Sequence, residues 1–147
     1  MSATDIAQAT MRAWESKDTN SLASSLSDDF VCRGFLPQPM NKVQYIDFMQ
    51  AIVSAFPDWS FNEIFLNEHP VMERSQRVLF DTHITGTNTG DLILPDLPII
   101  PATGIKIALP NRHLEYLVTG DTVATITADF SPNGLEEILA QFGMVLP

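Results

Sequence analysis

The chain has 147 residues, 45% of them hydrophobic, and a formal net charge of −10 from 18 acidic and 8 basic residues. That length suits one domain, residues 1–147, whose core needs no staple, and the acidic balance repels phosphate backbones, so nucleic acid is excluded as an expected partner. The lone cysteine, Cys32, cannot pair within the chain, no Cys/His spacing suggests a metal site, and no apolar run is long enough to span a membrane. No basic stretch followed by an apolar run marks the N-terminus, so the expected location is cytoplasmic.

The first element is an amphipathic helix over residues 4–16. Thr4 or Asp5 caps it, and Ile6, Ala9, Ala13 and Trp14 share its apolar face. A turn at Lys17-Asp18-Thr19-Asn20 leads to a short helix over 19–26 that packs Leu22 and Leu26 inward. Residues 28–35 extend as a strand, and Cys32 reads as a small buried hydrophobe. Pro37 and Pro39 interrupt regular structure. Residues 41–56 form the clearest helix, with Val43, Ile46, Phe48, Met49, Ile52, Val53 and Phe56 at helical spacing, and Pro57 ends it. Beyond Pro57 the period changes to two. Residues 61–68, 77–85, 105–118 and 122–130 read as strands, with Gly120-Asp121 in the last turn. A helix over 132–143 carries Leu135, Ile138, Leu139 and Phe142 on one face and stops at Gly143. Helices followed by strands joined by turns predict an α+β domain with one curved antiparallel sheet.

The stretch from Val78 to Gly104 carries the most functional information. It sets ionisable side chains on a strand beside an oily, proline-stiffened loop, and apolar walls with a few polar groups make small-molecule pockets. Asp81 and His83 alternate with Val78, Phe80, Thr82 and Ile84. Either face can point inward, and the period does not choose between them. On the 105–118 strand His113 and Glu115 share a face with Asn111. They form either an acid/base pair or a solvated cross-strand ion pair, and Pro110 marks a bend beside them. Asp129 shares a face with Thr125 and Thr127, or else caps the last helix. Asp58 caps a turn after Pro57, and His69 lies in a surface turn. The run from Leu92 to Pro101 is costly in water and must pack, either against protein or as a lid.

Ala55-Phe56-Pro57-Asp58-Trp59, Gly86-Thr87-Asn88-Thr89-Gly90, Pro101-Ala102-Thr103-Gly104 and Gly134-Leu135 with Gln141-Phe142-Gly143 occur in an order that resembles SnoaL-like polyketide cyclases, of the nuclear-transport-factor-2-like superfamily that also holds ketosteroid isomerases. The resemblance implies a cone: a bent sheet wrapped around N-terminal helices, with an internal apolar cavity and homodimers packed through the sheet's outer face. It departs from the family pattern in three places. Asn88 stands where the family carries His, and residues 123–127 lack the family's Glu and Trp. The segments 91–101 and 129–141 are also longer.

In such a fold Trp14, Tyr45, Phe48, Met49 and Phe56 line the pocket floor, and Trp59 forms part of its wall. The resemblance assigns Asp129 as general acid/base, because a carboxylate at an oily wall has its pKa raised toward useful values. His83, or Asn111 with His113, then stabilises an oxyanion, while Asp81, Glu115 and Thr127 contact the ligand. The expected function is cofactor-free, metal-free acid/base chemistry on a small hydrophobic carbonyl-bearing molecule: cyclisation, isomerisation or hydration. The alternative is a non-catalytic ligand-binding or dimeric interaction module of the same fold.

Overall fold

The computed structural model describes residues 1–144. Helix α1 (Ala3–Glu15) starts at a capping box on Ser2, ahead of the cap expected at Thr4 or Asp5: Ser2 Oγ accepts from Asp5 N, and Asp5 accepts from Ser2 N. Ile6, Ala7, Met11, Ala13 and Trp14 are buried, whereas Ala9 lies on the exposed face. Helix α2 (Thr19–Ser25) is capped by Asp18 and buries Leu22. Strand β1 (Leu26–Arg33) follows without a loop, and β2 (Met40–Asn41) leads into α3 (Lys42–Ala55). Asn41 and Gln44 form a second capping box at the start of α3. Tyr45, Phe48, Met49, Ile52 and Val53 face inward, and Val43 points to solvent.

The sheet continues with β3 (Ile64–Met72), β4 (Ser75–Thr82), β7 (Arg112–Thr119) and β8 (Thr122–Ala128). The expected 105–118 strand is two pieces, β6 (Lys106–Ala108) and β7. Pro110 falls between them, and β6 pairs with β5 (Thr85–Thr87) in a separate ribbon. Helix α4 (Gly134–Gln141) is capped by Asn133.

The strand order is β2-β1-β8-β7-β4-β3. All pairs are antiparallel except β1 with β8, which run parallel, so the sheet is mixed rather than purely antiparallel. Val78 faces Tyr116, and Phe80 faces Leu114. These four, with Val118, Ile126 and Ala128, are buried on the inner face, toward α1 and α3.

The centre of the molecule is aromatic. The Trp14 ring lies 5.4–6.1 Å from those of Phe35, Tyr45, Phe48, Trp59 and Phe61. Tyr45 and Tyr116 are fully buried, and burial pushes both phenols well above their ordinary pKa. Burial likewise raises the Cys32 thiol, which makes it a core side chain and no nucleophile.

Candidate functional site

The inward-facing parity of Val78, Phe80 and Thr82 settles where the ionisable residues lie. Burying Phe80 and Ile84 sends Asp81 and His83 to the opposite, outer face. The same alternation on β7 buries Leu114 and Tyr116 and turns His113 and Glu115 outward. Asp129 pairs with this row. Its Oδ1 accepts from His113 N at 2.7 Å, and Oδ2 lies 3.2 Å from His113 Nδ1. Both side chains are 53% exposed. Asn111 Nδ2 donates to Asp81 Oδ2 at 3.0 Å, Glu115 pairs with Arg77 at 2.9 Å, and Thr127 is exposed.

The expected ionisable lining of the interior is therefore corrected. Asp81, His83, Asn111, His113, Glu115, Thr127 and Asp129 form a solvated outer surface, because the large apolar residues between them claim the inner one. Nor does Asp129 cap the last helix, since Asn133 does. Trp14, Tyr45, Phe48, Met49, Phe56 and Trp59, expected to line a pocket, are all buried together in the core, where rings occupy the space between α1, α3 and the sheet, and of the six Phe48 alone lines the groove beside them.

A concave feature lies beside this aromatic centre, with Phe48 common to both. A groove of about 260 Å³ runs between the 36–40 loop, the first turns of α3 and the 94–97 loop. Leu36, Pro39, Met40, Leu94, Pro95 and Leu97 form its apolar walls together with the Phe48 ring. Gln38, Gln44, Asp47 and Asp96 contribute polar groups, and no lysine or arginine lines it. Sequence reasoning missed these residues except Phe48. Their signal was the greasy 92–101 loop, which needed a partner, and the Gln44, Asp47, Phe48 spacing on one helix face.

Three of the motif fragments anchor the loop that supplies one wall of this groove. Asn88, buried at 0% exposure, is their junction. Its Nδ2 donates to Ala55 O and Gly90 O, and its Oδ1 accepts from Thr103 N and Thr103 Oγ1, both at 2.8 Å. The backbone adds Gly104 N to Asn88 O and Gly90 N to Ala55 O. Gly90 must lack a side chain, for a Cβ there would sit 2.2 Å from Ser54 O. From this base the loop is stapled by two Leu92–Ile100 backbone bonds and by Asp91 accepting from Ala102 N. Leu92 and Leu94 are buried, while Ile93 and Ile99 stay exposed. The loop is thus anchored packing whose inner side forms a groove wall.

Asp58 joins the same network rather than capping its own turn. It accepts from Thr87 N at 2.6 Å and Thr87 Oγ1 at 2.8 Å. Burial works to raise its pKa. The two Thr87 hydrogen bonds, helped by Lys106, outweigh burial and hold the carboxyl below its ordinary value. A depressed folded pKa gives stability that is full above the unfolded pKa and lost as pH falls through the folded one. The stability gap between the wild type and Asp58→Asn is therefore expected to shrink as pH drops from about 6 to about 3, read by urea denaturation at each pH. A gap that stays constant would show that the charge contributes nothing.

A bent sheet with α1 and α3 in its hollow, and motif loops at the open end, is a known arrangement. A ketosteroid isomerase-like protein from Erwinia carotovora atroseptica has it with a TM-score of 0.67 at 14% identity, covering 85% of this chain and 90% of that one. The chain thus shares its fold with a ketosteroid isomerase-like protein, and also with a protein described as of the NTF2-like family from Streptomyces avermitilis. A "putative polyketide cyclase" from Pseudomonas putida superposes with a TM-score of 0.65 at 16% identity, over 88% of this chain and 92% of that one. A second protein so named, from Xanthomonas campestris, gives 0.65 at 16% identity over 95% of each chain. No family model matches the sequence, and no curated protein is similar to it. No helix among the described residues is long and apolar enough to cross a membrane.

Proposed function

We propose that this chain binds a small, neutral, hydrophobic molecule bearing a carbonyl group, and that the groove beside Phe48 receives it. The observation that carries this reading is the groove itself. It is lined by six aliphatic or proline residues and one aromatic ring, with polar side chains confined to two amides and two carboxylates. With Asp47 and Asp96 present and no cation among the lining residues, an anionic ligand meets repulsion. The acid/base step falls to Asp47, which lines the groove beside Phe48 on α3, whereas Asp129 does not line it. Asp47 accepts a proton from the carbon next to the carbonyl. The C–H electron pair moves toward the carbonyl oxygen, and return of the proton at a different position, or attack on a second carbonyl, completes isomerisation or cyclisation.

The test uses 2-acetylnaphthalene in D₂O. Saturable binding and accelerated deuterium exchange of its methyl protons are expected by NMR. Leu97→Asp should weaken binding about tenfold, by setting a charge in an apolar wall. Asp47→Asn should remove the exchange and leave binding intact. Binding without any exchange would make the chain a ligand-binding module, and no binding would remove the reading.

A homodimer is the second part of the proposal. Ile64, Phe65 and Leu66 on edge strand β3 are 43–61% exposed, a concentration of apolar surface that a second copy would cover. Light scattering should give twice the chain mass, and Leu66→Glu should give the monomer mass. A monomeric wild type would exclude it.

A further inference from the structure

Gln44 belongs to two structures at once, the cap of α3 and the groove beside Phe48. In the capping box Asn41 N donates to Gln44 Oε1 at 2.9 Å, and Gln44 N donates to Asn41 Oδ1 at 2.9 Å. A primary amide has an accepting end and a donating end, and a backbone N–H bonds only the first. The cap therefore fixes which way round the amide sits. Its oxygen is committed to the helix start, and the Nε2 group is the end left over.

That group carries two N–H bonds and, among the described residues, meets no acceptor. The same side chain lines the groove. The other polar lining groups are differently placed. Asp47 and Asp96, when ionised, only accept, and no hydrogen bond to a described residue tethers the Gln38 amide. Among the described residues, Gln44 is thus the groove's side-chain donor whose orientation is set before any ligand arrives.

Gln44 also stands one turn before Asp47 on the same face of α3. Side chains three apart on a helix are neighbours, with Cβ atoms about 5–6 Å from each other. One carbonyl group can bridge them: its oxygen meets the amide, and the C–H bond beside it meets the carboxylate.

Resting on the groove reading, we propose that Gln44 Nε2 is the specificity-determining donor of the groove. It holds the ligand's carbonyl oxygen and so selects against apolar molecules of the same shape that lack an acceptor. When Asp47 takes the proton and the C–H electron pair moves to that oxygen, the N–H···O bond strengthens, and the amide neither gains nor loses a proton. The bond relaxes when the carbon is reprotonated and the pair returns.

The experiment compares 2-acetylnaphthalene with 2-ethylnaphthalene, which has nearly the same shape and no carbonyl, on the full chain at neutral pH. The ratio of ketone to hydrocarbon affinity should be about fivefold higher in the wild type than in Gln44→Glu or Gln44→Met, the factor that one neutral hydrogen bond provides. Gln44→Glu keeps the capping acceptor, since glutamate serves a capping box as glutamine does, but offers the ligand no donor. Its urea midpoint should stay close to that of the wild type, so a lost ratio would not be lost structure. Gln44→Met removes both polar ends and should lose stability as well as the ratio. In the ¹⁵N–¹H spectrum the Gln44 side-chain amide, assigned by its absence in both variants, should move downfield with the ketone and not with the hydrocarbon. Should one variant fail to fold, the other and the wild-type spectrum still decide.

A ratio unchanged in either folded variant would overturn the proposal and leave the groove reading standing. An amide signal that ignores the ketone would overturn it as well. Failure of both compounds to bind would remove the groove reading and this proposal together.

Discussion

Asn88→Ala is expected to lower the unfolding free energy by about 3 kcal/mol, measured as a shift in the urea midpoint at unchanged slope. The side chain is fully buried and makes four hydrogen bonds, two donated and two accepted. Alanine removes all four and leaves Ala55 O with one bond fewer at the end of α3. Asn88→Asp is a sharper version of the same test. The carboxylate still accepts from Thr103 but faces Ala55 O and Gly90 O, where acceptor meets acceptor. It should destabilise at neutral pH and recover part of the loss under acid, when the protonated carboxyl can donate once. A loss below about 1 kcal/mol for Asn88→Ala would mean that the Leu92–Ile100 staple holds the loop alone.

Arg112→Leu is expected to cost a similar amount, about 3 kcal/mol, for a different reason. Glu137 on α4 has a side chain only 8% exposed, and Arg112 on β7 donates to it through Nε and Nη2 at 2.8–3.2 Å. Those hydrogen bonds raise the guanidinium pKa against the opposing effect of burial, with the Glu137 and Asp129 charges adding to them. Leucine removes the cation and leaves the Glu137 carboxylate with Ser131 N as its remaining donor. The double variant Arg112→Leu/Glu137→Leu should recover much of the loss, because neither charge is then stranded. A thermal melt of the four proteins in the cycle gives the coupling. A double variant as unstable as Arg112→Leu alone would show that the effect is lost packing of the arginine stem rather than an unpaired charge.

The sequence was most legible where periodicity is strong and local. Helix α3 reads directly from its spacing, and β4 and β8 read from alternation within a few residues of their ends, whereas the strand expected over 105–118 merged β6 with β7. Strand β3 was harder to place because an edge strand exposed on both sides loses the alternation that a half-buried strand shows. Period two leaves the inward face of β4 open. Packing settled it, since Phe80 and Ile84 need the interior more than Asp81 and His83 can tolerate it. The parallel partnership of β1 was not legible, because it joins distant parts of the chain.

The motif fragments were legible as fragments. Asp58 accepts from Thr87, and the neighbouring Asn88 accepts from Thr103, across separate loops that only the fold brings together. The groove escaped sequence reading for the same reason. Leu36, Asp47 and Leu97 come from three stretches with no shared pattern.

The parallel β1–β8 pair also bears on how the protein is made. Leu26 faces Val123, and Cys32 faces Ile126, so β1 waits for a partner that is translated long after it. Until β8 leaves the ribosome, β1 lacks its long neighbour, and the tryptophan-rich interior beside it stays wet. Closing so large a loop before any contact rewards it slows folding. Nascent chains therefore spend most of synthesis with apolar side chains available to holding chaperones, and shortened products that end before Thr122 remain in that condition.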